Sequence, residues 1–295
     1  MREIRVRFSG GLGNQLYQYA FLLYLKHLKI DVVPDFSEFA YYAFHHGLEL
    51  DKVICMGYGL EINQVEKSRK RWYKIFNDKL GFWLRFRYLQ FVNKHFDHVV
   101  QENPNKFYKL KDIPKQNRLI LKGHWQKLGY VEAVREKLTH CVNLELLADD
   151  RDKMIVNQIR NTDSVSIHVR RGDYLKENQY QVIKDFGFYE KAIAEIKKYS
   201  SEATFYVFSD DIAWVKSQMK EKNVVYIDWN TGANSFKDML LMSLCKHNII
   251  ANSTFSWWGA YLNTHPDKKV ICPNYWMVGE KTGDRVPQDW IQLEV

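Results

Sequence analysis

The sequence of 295 residues is poor in cysteine and contains no cysteine cluster. No two of its four cysteines form a C-x-x-C pair; they are Cys55, Cys141, Cys245 and Cys272. This spacing argues against a zinc ribbon and against a disulfide scaffold. Free thiols are typical of a reducing compartment, so we expect a cytoplasmic protein.

Long apolar runs are also lacking. The longest candidate, residues 16–25, is interrupted by Gln18 and is shorter than the roughly 18 apolar residues that a membrane span requires. No secretory signal precedes the first strand-like segment. We therefore expect a soluble protein, associated at most peripherally with the inner face of the cytoplasmic membrane.

The usual metal and nucleotide fingerprints are missing as well. No His or Cys cluster has ligand spacing, and the one D-x-D string, residues 150–152, lies at a predicted helix start. The glycine-rich segment 9–15 is followed by Leu16 where G-x-G-x-x-G needs glycine, and it lacks the Lys-Ser/Thr of a phosphate-binding loop. We expect neither a metal nor an organic cofactor.

The overall amino-acid composition is that of an ordinary globular protein. Hydrophobic residues make up 46% of the chain and charged residues 26%. The net charge of +8 favours anionic partners: nucleotide phosphates, nucleic acid or an acidic membrane surface. At about 150 residues per domain, a chain of this length predicts two domains.

The stretch 164–174 organises the second half of the chain. Apolar and polar residues alternate from Ser164 to Val169, which predicts a buried strand, and Arg170 and Arg171 follow at its carboxyl end. Ligands bind at this end of the strands in open α/β sheets, and paired guanidinium forks suit a phosphate. The alternative is a surface arginine pair neutralised by Asp173.

The remainder of this half predicts a doubly wound parallel sheet. Strands are predicted at 164–169, 204–208, 223–227, 247–251 and 269–272, and helices at about 188–199, 211–220, 235–245 and 254–263. The strand at 204–208 precedes Ser209, Asp210 and Asp211. A carboxylate here could bind ribose or guanine; alternatively, Ser209 or Asp210 caps the next helix. Hydroxyl residues at 252–256 open a helix and predict an anion site. Trp257 and Trp258 either pack in the core or form a sugar platform.

The first half begins with a predicted βαβ unit: a strand at 4–8, the glycine-rich turn, a helix and a strand at 31–35. The turn is either structural or a binding loop. A short strand at 119–121 precedes polar residues, among which His124 is either a ligand contact or a structural histidine. The basic, aromatic-rich stretch 66–94 could contact an anionic membrane, but we favour an ordinary helix with a solvated basic face.

Four strings of residues together resemble the bacterial α-1,2-fucosyltransferases. They are Gly-Gly-Leu-Gly-Asn-Gln-Leu-Tyr-Gln-Tyr-Ala at 10–20, His-Val-Arg-Arg-Gly-Asp-Tyr at 168–174, Phe-Ser-Asp-Asp at 208–211 and Ala-Asn-Ser-Thr-Phe-Ser-Trp-Trp-Gly-Ala at 251–260. They follow one another in the family's order. Gly-His-Trp-Gln at 123–126 is also similar to a family segment, in which an aromatic residue more commonly replaces His124.

The resemblance implies an α/β protein of the GT-B type, with two Rossmann-like domains facing an interdomain cleft. Residues 1–150 would form the acceptor-side domain and residues 151–295 the GDP-sugar-binding domain. The implied enzyme is a galactoside 2-α-L-fucosyltransferase. It would move L-fucose from GDP-β-L-fucose to a galactose-ended glycan with inversion and without a metal. We expect a role in O-antigen or capsule synthesis, with an acceptor that could be lipid-linked.

The resemblance also implies roles for single residues. Arg170 would hold the β-phosphate and Arg171 would support its loop, while His168 and Asp210 or Asp211 would contact guanosine. Further nucleotide or substrate contacts are implied for Gly11, Gly13, Gln15, Ser209, Asn252, Ser253, Thr254, Phe255 and Ser256. Asn14 would face the reaction centre, and His124, Trp125 and Gln126 are candidates for the acceptor side.

A base should remove the proton of the acceptor hydroxyl. Asp173 is the candidate; it could equally be locked onto an arginine, and Glu177 and Asp185 lie on the following polar segment. Two other functions stay open. A nucleotide-sugar hydrolase would use the same anion site with water as acceptor. A nucleic-acid-binding protein would show strongly salt-dependent binding, but no nucleic-acid motif is present and we expect no such partner.

Overall fold

The computed structural model describes residues 3–40, 46–55, 87 and 98–295. The chain divides into two compact units, residues 1–143 and residues 144–295, and each contains a parallel sheet. Apart from Arg87, the basic aromatic stretch 66–94 lies outside the described residues. In the part of the chain that is described, no helix is both long and apolar enough to cross a bilayer.

Four parallel strands form the sheet of the first unit. They are β1 (Glu3–Arg7), β2 (Val32–Asp35), β3 (His98–Gln101) and β4 (Arg118–Lys122), in the order β2-β1-β4-β3. A buried ion pair joins β1 to β2, with Arg7 Nη2 2.9 Å from Asp35 Oδ2. The strand β3 was not predicted, because it is an edge strand whose side chains are mostly exposed and do not alternate clearly.

Within the described residues of the first unit, the α-helices with both ends described are α1 (Leu12–His27), α2 (Leu50–Val53), α3 (Leu128–Glu132) and α4 (Arg135–His140). All but three of the 16 residues of α1 are buried, so this helix forms the centre of the unit's core. It follows β1 and precedes β2, which confirms the predicted βαβ unit.

The strands of the second unit are β5 (Ser164–Val169), β6 (Thr204–Ser209), β7 (Val224–Ile227), β8 (His247–Ile249), β9 (Val270–Pro273), β10 (Tyr275–Met277), β11 (Glu280–Lys281) and β12 (Ile291–Leu293). Six of them form a parallel sheet in the order β12-β9-β8-β5-β6-β7, while β10 and β11 form an antiparallel hairpin. The helices are α5 (Asp150–Arg160), α6 (Gly187–Lys197), α7 (Ile212–Gln218), α8 (Phe236–Leu244) and α9 (Thr254–Tyr261).

The strand β5 lies inside this sheet between β6 and β8, and all six of its residues are buried. Its predicted bounds are those of the structure. The other predicted strands and helices of this half each lie within two residues of the observed ends. The hairpin and β12 were not predicted, because they are short and lack a regular apolar pattern.

Trp257 and Trp258 are wholly buried in α9. The indole N–H of Trp257 donates a hydrogen bond to the backbone oxygen of Arg285 at 3.1 Å, and the two indole rings are 5.0 Å apart. The packing interpretation is therefore confirmed. The alternative of a sugar platform is wrong, because neither ring has exposed surface.

Candidate active site

The carboxyl ends of β5, β6 and β8 carry the polar motifs predicted from the sequence. These strands are parallel neighbours, so their carboxyl ends meet at one edge of the sheet. Val169 of β5 pairs with Ser209 of β6, which places Arg170 beside Asp210. The structure therefore brings the arginine motif and the aspartate motif together.

Arg170 lies at the centre of this edge with its side chain 30% exposed. Its Nη1 is 3.0 Å from Asp210 Oδ2, and its Nη2 is 2.9 Å from Asp173 Oδ1. Burial acts to lower the pKa of the guanidinium, but the two carboxylates outweigh it and leave the pKa raised. Arg170 is thus a firmly charged fork in a half-buried position, which suits an anionic ligand.

Asp210 holds the arginine loop in place. Its Oδ1 accepts a hydrogen bond from the backbone N–H of Arg171 at 2.9 Å, while its Oδ2 pairs with Arg170. A Cβ on Gly172 would lie 2.8 Å from Asp210 Oδ2, so glycine permits this close approach. Both oxygens of Asp210 bind the loop. The guanosine contact that the family resemblance implies for Asp210 or Asp211 stays a prediction.

Arg171 contacts a different set of groups from Arg170. Its Cζ lies 3.6 Å from the centre of the Trp214 ring, and its Nε donates to Asp211 Oδ2 at 3.2 Å. Asp211 Oδ1 also accepts the backbone N–H of Trp214 at 3.1 Å, and the N–H of Asp211 donates to Ser209 Oγ at 2.9 Å. The helix cap is therefore Asp211, and the predicted cap on Ser209 or Asp210 is wrong, because the helix begins at Ile212 and Asp210 binds the arginine loop.

The side chain of Asn252 joins three segments at the end of β8. Its buried Nδ2 donates to the backbone oxygens of Tyr180, at 3.1 Å, and Trp276, at 3.0 Å. The hydroxyl of Tyr174 donates to the backbone oxygen of Asn252 at 3.1 Å. We call this set the Asn252 clamp. The amide nitrogen of Asn252 is thus committed to these carbonyls, and its nucleotide contact stays a prediction.

The residues that follow Asn252, at 253–256, differ from one another in burial and in hydrogen bonding. Ser256 is wholly buried, and its Oγ donates to the backbone oxygen of Ser253 at 3.3 Å. Ser253 directly precedes α9, and its side chain makes no capping hydrogen bond to that helix. Thr254 and Phe255 are half-buried. Backbone N–H groups at a helix start attract anions, so residues 253–255 are the part of the segment suited to a diphosphate.

His168 is buried in β5, and its Nδ1 has no hydrogen-bond partner among the described residues. Its ring centre lies 5.7 Å from that of Phe255. Burial, with a smaller effect from the charge of Arg170, lowers the pKa of His168 to about 3. The ring is therefore neutral in the native protein.

In mild acid, the His168→Gln variant should lose less of its free energy of unfolding than the wild type does. The pKa of His168 is depressed from 6.5 to about 3, so only the unfolded chain is protonated between these values. Stability that is present above pH 6.5 is thus lost as the pH falls towards 3, with a slope of up to about 1.4 kcal/mol per pH unit. Urea unfolding between about pH 7.5 and 5 checks this.

The quantity to follow is the free energy of unfolding of the wild type minus that of His168→Gln, which should decrease as the pH falls. His140→Gln, at an exposed histidine of the first unit, is the matched control. A difference that stays constant with pH for His168→Gln would contradict the neutral buried ring.

In the first unit, the loops that follow the neighbouring strands β1 and β4 meet. Gln126 Nε2 donates to Asn14 Oδ1 at 2.9 Å, and both residues are half-buried. Gly10 has φ +75°, and a Cβ there would lie 2.9 Å from Asn14 Nδ2. Gly11 directly precedes α1, and Gly13 is buried in its first turn. The structure thus brings the predicted residues Asn14 and Gln126 together.

Gln15 and Trp125 occupy positions that differ from those expected of ligand contacts. Gln15 is wholly buried, and among the described residues its amide bonds to backbone groups alone, those of Gly10, Gly47, Glu49 and Leu50. The Trp125 ring is wholly buried and stacks on Phe21 with 3.9 Å between ring centres. Their side chains have no surface to offer a substrate, whereas the side chain of His124 is exposed.

The three candidates for the general base have different surroundings. Asp173 is 51% exposed and pairs with Arg170. Asp185 Oδ1 accepts the backbone N–H of Gly187 at 2.8 Å, and Glu177 is exposed. Of these three, Asp173 is the one that lies beside Arg170.

The charges at this edge are nearly balanced. Arg170 and Arg171 face three carboxylates, those of Asp173, Asp210 and Asp211. An anion that binds Arg170 competes with these carboxylates, and Asp173 is the more exposed of its two partners. Within residues 3–40, 46–55 and 98–295, no three His, Cys, Asp or Glu side chains are grouped so that they could hold a metal ion.

Sequence reasoning missed three residues that shape these sites: Trp214, Tyr180 and Glu102. Tyr180 stacks on Tyr174 with 5.0 Å between ring centres, next to the Asn252 clamp. Glu102 accepts two backbone N–H groups of the segment after β4. Trp214 follows a capping aspartate and Glu102 follows a strand, but neither position shows in sequence which distant group it contacts.

Comparison with known proteins relates the chain to sugar transferases. The sequence profile of glycosyl transferase family 11 matches residues 64–294. The O-antigen biosynthesis glycosyltransferase WbnK of Escherichia coli is 32% identical over 97% of this chain and 98% of its own length. An alpha-1,2-colitosyltransferase of Escherichia coli is 31% identical over the full length of both chains.

The fold is shared with solved fucosyltransferase structures. The fucosyltransferase NodZ from Bradyrhizobium has a TM-score of 0.51 at 15% identity, covering 88% of this chain and 91% of its own. At this identity the likeness shows the fold alone, an α/β architecture of the GT-B type. The profile match and the two full-length relatives confirm the resemblance to bacterial α-1,2-fucosyltransferases. The chain belongs to glycosyl transferase family 11.

Proposed function

We propose that this enzyme transfers L-fucose from GDP-β-L-fucose to the 2-hydroxyl of a galactose-ended glycan, with inversion and without a metal ion. The observation that carries the proposal is Arg170, a half-buried, charged fork at the carboxyl end of β5 beside the start of α9. Membership of glycosyl transferase family 11 supports the reaction class. The relatives named above support a role in surface polysaccharide synthesis, such as O-antigen.

Donor binding would begin with an exchange of partners at Arg170. Asp173 is half exposed, so water screens its ion pair with Arg170 and the pair is weak. A diphosphate offers more negative charge and two oxygens in the geometry of the fork. The β-phosphate would therefore displace Asp173, while Asp210 keeps hold of the loop through the N–H of Arg171.

The same contacts would lower the barrier to transfer. Negative charge grows on the departing GDP as the bond to fucose C1 breaks, and C1 takes on oxocarbenium character. Arg170 and the N–H groups that open α9 would stabilise this charge, and one such donor is worth roughly 3 kcal/mol. Charge supplied by side chains and a helix start makes a metal ion unnecessary in this proposal.

Asp173 is the proposed base. Once phosphate has taken its place at Arg170, its carboxylate is free to accept the proton of the attacking hydroxyl. The acceptor oxygen would then form a bond to C1 on the face opposite to GDP, which inverts the anomeric centre. Asn14, Gln126 and His124 of the first unit are the proposed acceptor contacts. In this proposal the enzyme works in the cytoplasm, at the membrane when the acceptor is lipid-linked.

The deciding experiment is an assay of GDP release and of glycan product with GDP-fucose and a panel of galactosides. We expect an α-1,2-linked fucoside, formed at the same rate with and without EDTA. The colitose donor belongs in the panel, because a relative named for colitose transfer is nearly as similar to this chain as WbnK.

Each alternative gives a different result in this assay. Free fucose formed without an acceptor indicates a hydrolase. Product formed with the colitose donor but not with GDP-fucose would show that the enzyme transfers colitose and not fucose. Turnover abolished by EDTA, or salt-dependent oligonucleotide binding without GDP binding, would refute the proposed chemistry.

A further inference from the structure

The segment that follows β4 has an uncommon backbone. Trp125 has φ +56°, in the left-handed region that bulky residues seldom adopt. Its ring is nevertheless wholly buried, stacked on Phe21 and edge-on to Tyr108 with 5.3 Å between ring centres. A bulky residue keeps such a conformation only where its surroundings hold it there.

Glu102, directly after β3, holds this backbone. Its Oε2 accepts the N–H of His124 at 2.7 Å and the N–H of Trp125 at 2.8 Å. Its own N–H donates to the backbone oxygen of Lys122 at 2.7 Å, so Glu102 binds the segment on both sides of Gly123. A Cβ on Gly123 would lie 2.3 Å from Glu102 Cβ, so only glycine allows these two segments of the backbone to approach this closely.

The held backbone sorts the side chains of the segment. Trp125 is buried, His124 is exposed, and Gln126 reaches Asn14 with 2.9 Å between Nε2 and Oδ1. The backbone oxygen of Gly123 also accepts Gln18 Nε2 of α1 at 2.9 Å. A small rotation of this backbone would move His124 and Gln126 together, because they lie on either side of Trp125.

From this geometry we infer that Glu102 is a positioning residue for the acceptor glycan. It acts through the 123–126 backbone, which sets where His124 and Gln126 stand, and it touches neither substrate itself. The inference rests on the proposed function, since it takes these two side chains as acceptor contacts. Charge-assisted bonds from a carboxylate to two adjacent N–H groups are stronger than neutral ones, which fits a role in fixing the segment.

The test compares Glu102→Ala with Glu102→Gln. The alanine variant should lower kcat/KM for the galactoside up to about 100-fold, mainly through KM, because a displacement near 1 Å has effects of this size. The KM for GDP-fucose should stay within about twofold, since the donor contacts lie on the second unit. Both backbone bonds end on one oxygen, so the amide oxygen of glutamine can accept both and should largely restore the acceptor KM.

Asp112→Ala is the matched control. This carboxylate of the first unit also accepts a backbone N–H, that of Lys109 at 2.8 Å, but it lies in the turn Leu110–Asp112, away from the segment after β4. The acceptor KM should not change in this variant. Should Glu102→Ala not fold, Glu102→Asp carries the test, because its carboxylate is one methylene short and should raise the acceptor KM while glutamine does not.

Thermal melting and GDP binding separate a positioning role from a merely structural one. An unchanged acceptor KM in folded Glu102→Ala would overturn the inference, and so would equal increases in acceptor and donor KM. Wild-type protein that transfers no sugar would refute the proposed function and this inference with it. Wild-type transfer together with an insensitive Glu102→Ala would refute the inference alone.

Discussion

Replacing Arg170 by alanine is expected to lower kcat for fucosyl transfer by about 100- to 1,000-fold, the usual effect of removing one donor from a preorganised charge-stabilising site. The guanidinium is the half-buried cation that Asp173 and Asp210 orient, and in the proposed reaction it meets the charge that grows on GDP. GDP affinity, measured by calorimetry, should fall as well. The fold should persist, because Asp210 still binds the N–H of Arg171.

Two further variants make this result specific. Arg170→Lys keeps the charge but replaces a planar fork by a single ammonium group, so it should restore only part of the activity. Arg160→Ala removes an exposed arginine from α5 of the same unit and should leave kcat unchanged. Normal turnover in folded Arg170→Ala would show that the anion site lies elsewhere.

Replacing Asn252 by alanine should be strongly destabilising. Its Nδ2 is the donor to the buried backbone oxygens of Tyr180 and Trp276, and each acceptor left unsatisfied costs about 1 to 3 kcal/mol. Asn252→Asp should be worse, because a carboxylate has no N–H to donate and would face two carbonyl oxygens. Urea denaturation measures both losses.

The Asn252 clamp also positions the segment that carries Tyr174, so GDP affinity should fall together with stability. Asn263→Ala is the matched control: its buried Nδ2 also donates hydrogen bonds, to the backbone oxygens of Cys245 at 2.7 Å and Lys246 at 3.4 Å and to Asn248 Oδ1 at 2.8 Å. That variant should lose comparable stability but keep its GDP affinity. Equal loss of affinity in both variants would mean that the clamp contributes to stability only.

The strands of the second unit could be predicted because their burial produces a regular pattern of apolar residues in the sequence. Residues 164–169 alternate and are followed by two arginines, and the structure gives the same bounds. The short strands β3 and β12 lie at sheet edges, where side chains are partly exposed and the apolar pattern fades. Sequence patterns therefore reveal the centre of each sheet better than its margins.

The sequence predicts the position of the candidate site in the fold better than it predicts what each of its residues contacts. The strand ends identified Arg170, Asp210 and residues 252–256, and the structure brings them to one edge. Residue type could not show that Arg171 stacks on Trp214 or that the amide of Asn252 is already in use. Those roles depend on groups far away in sequence, and only the folded chain shows which polar atoms are still free.

The strand order of the second unit determines how this protein must be made. The strand β5 is the first of its sheet to leave the ribosome, yet it pairs on one side with β8, whose residues 247–249 are synthesised much later. Until then a nascent chain carries an apolar strand with an open edge, which is a hazard for aggregation. The helix start at Ser253 emerges later still, so unfinished translation products would lack part of the proposed donor site and would withdraw no nucleotide sugar from the cell.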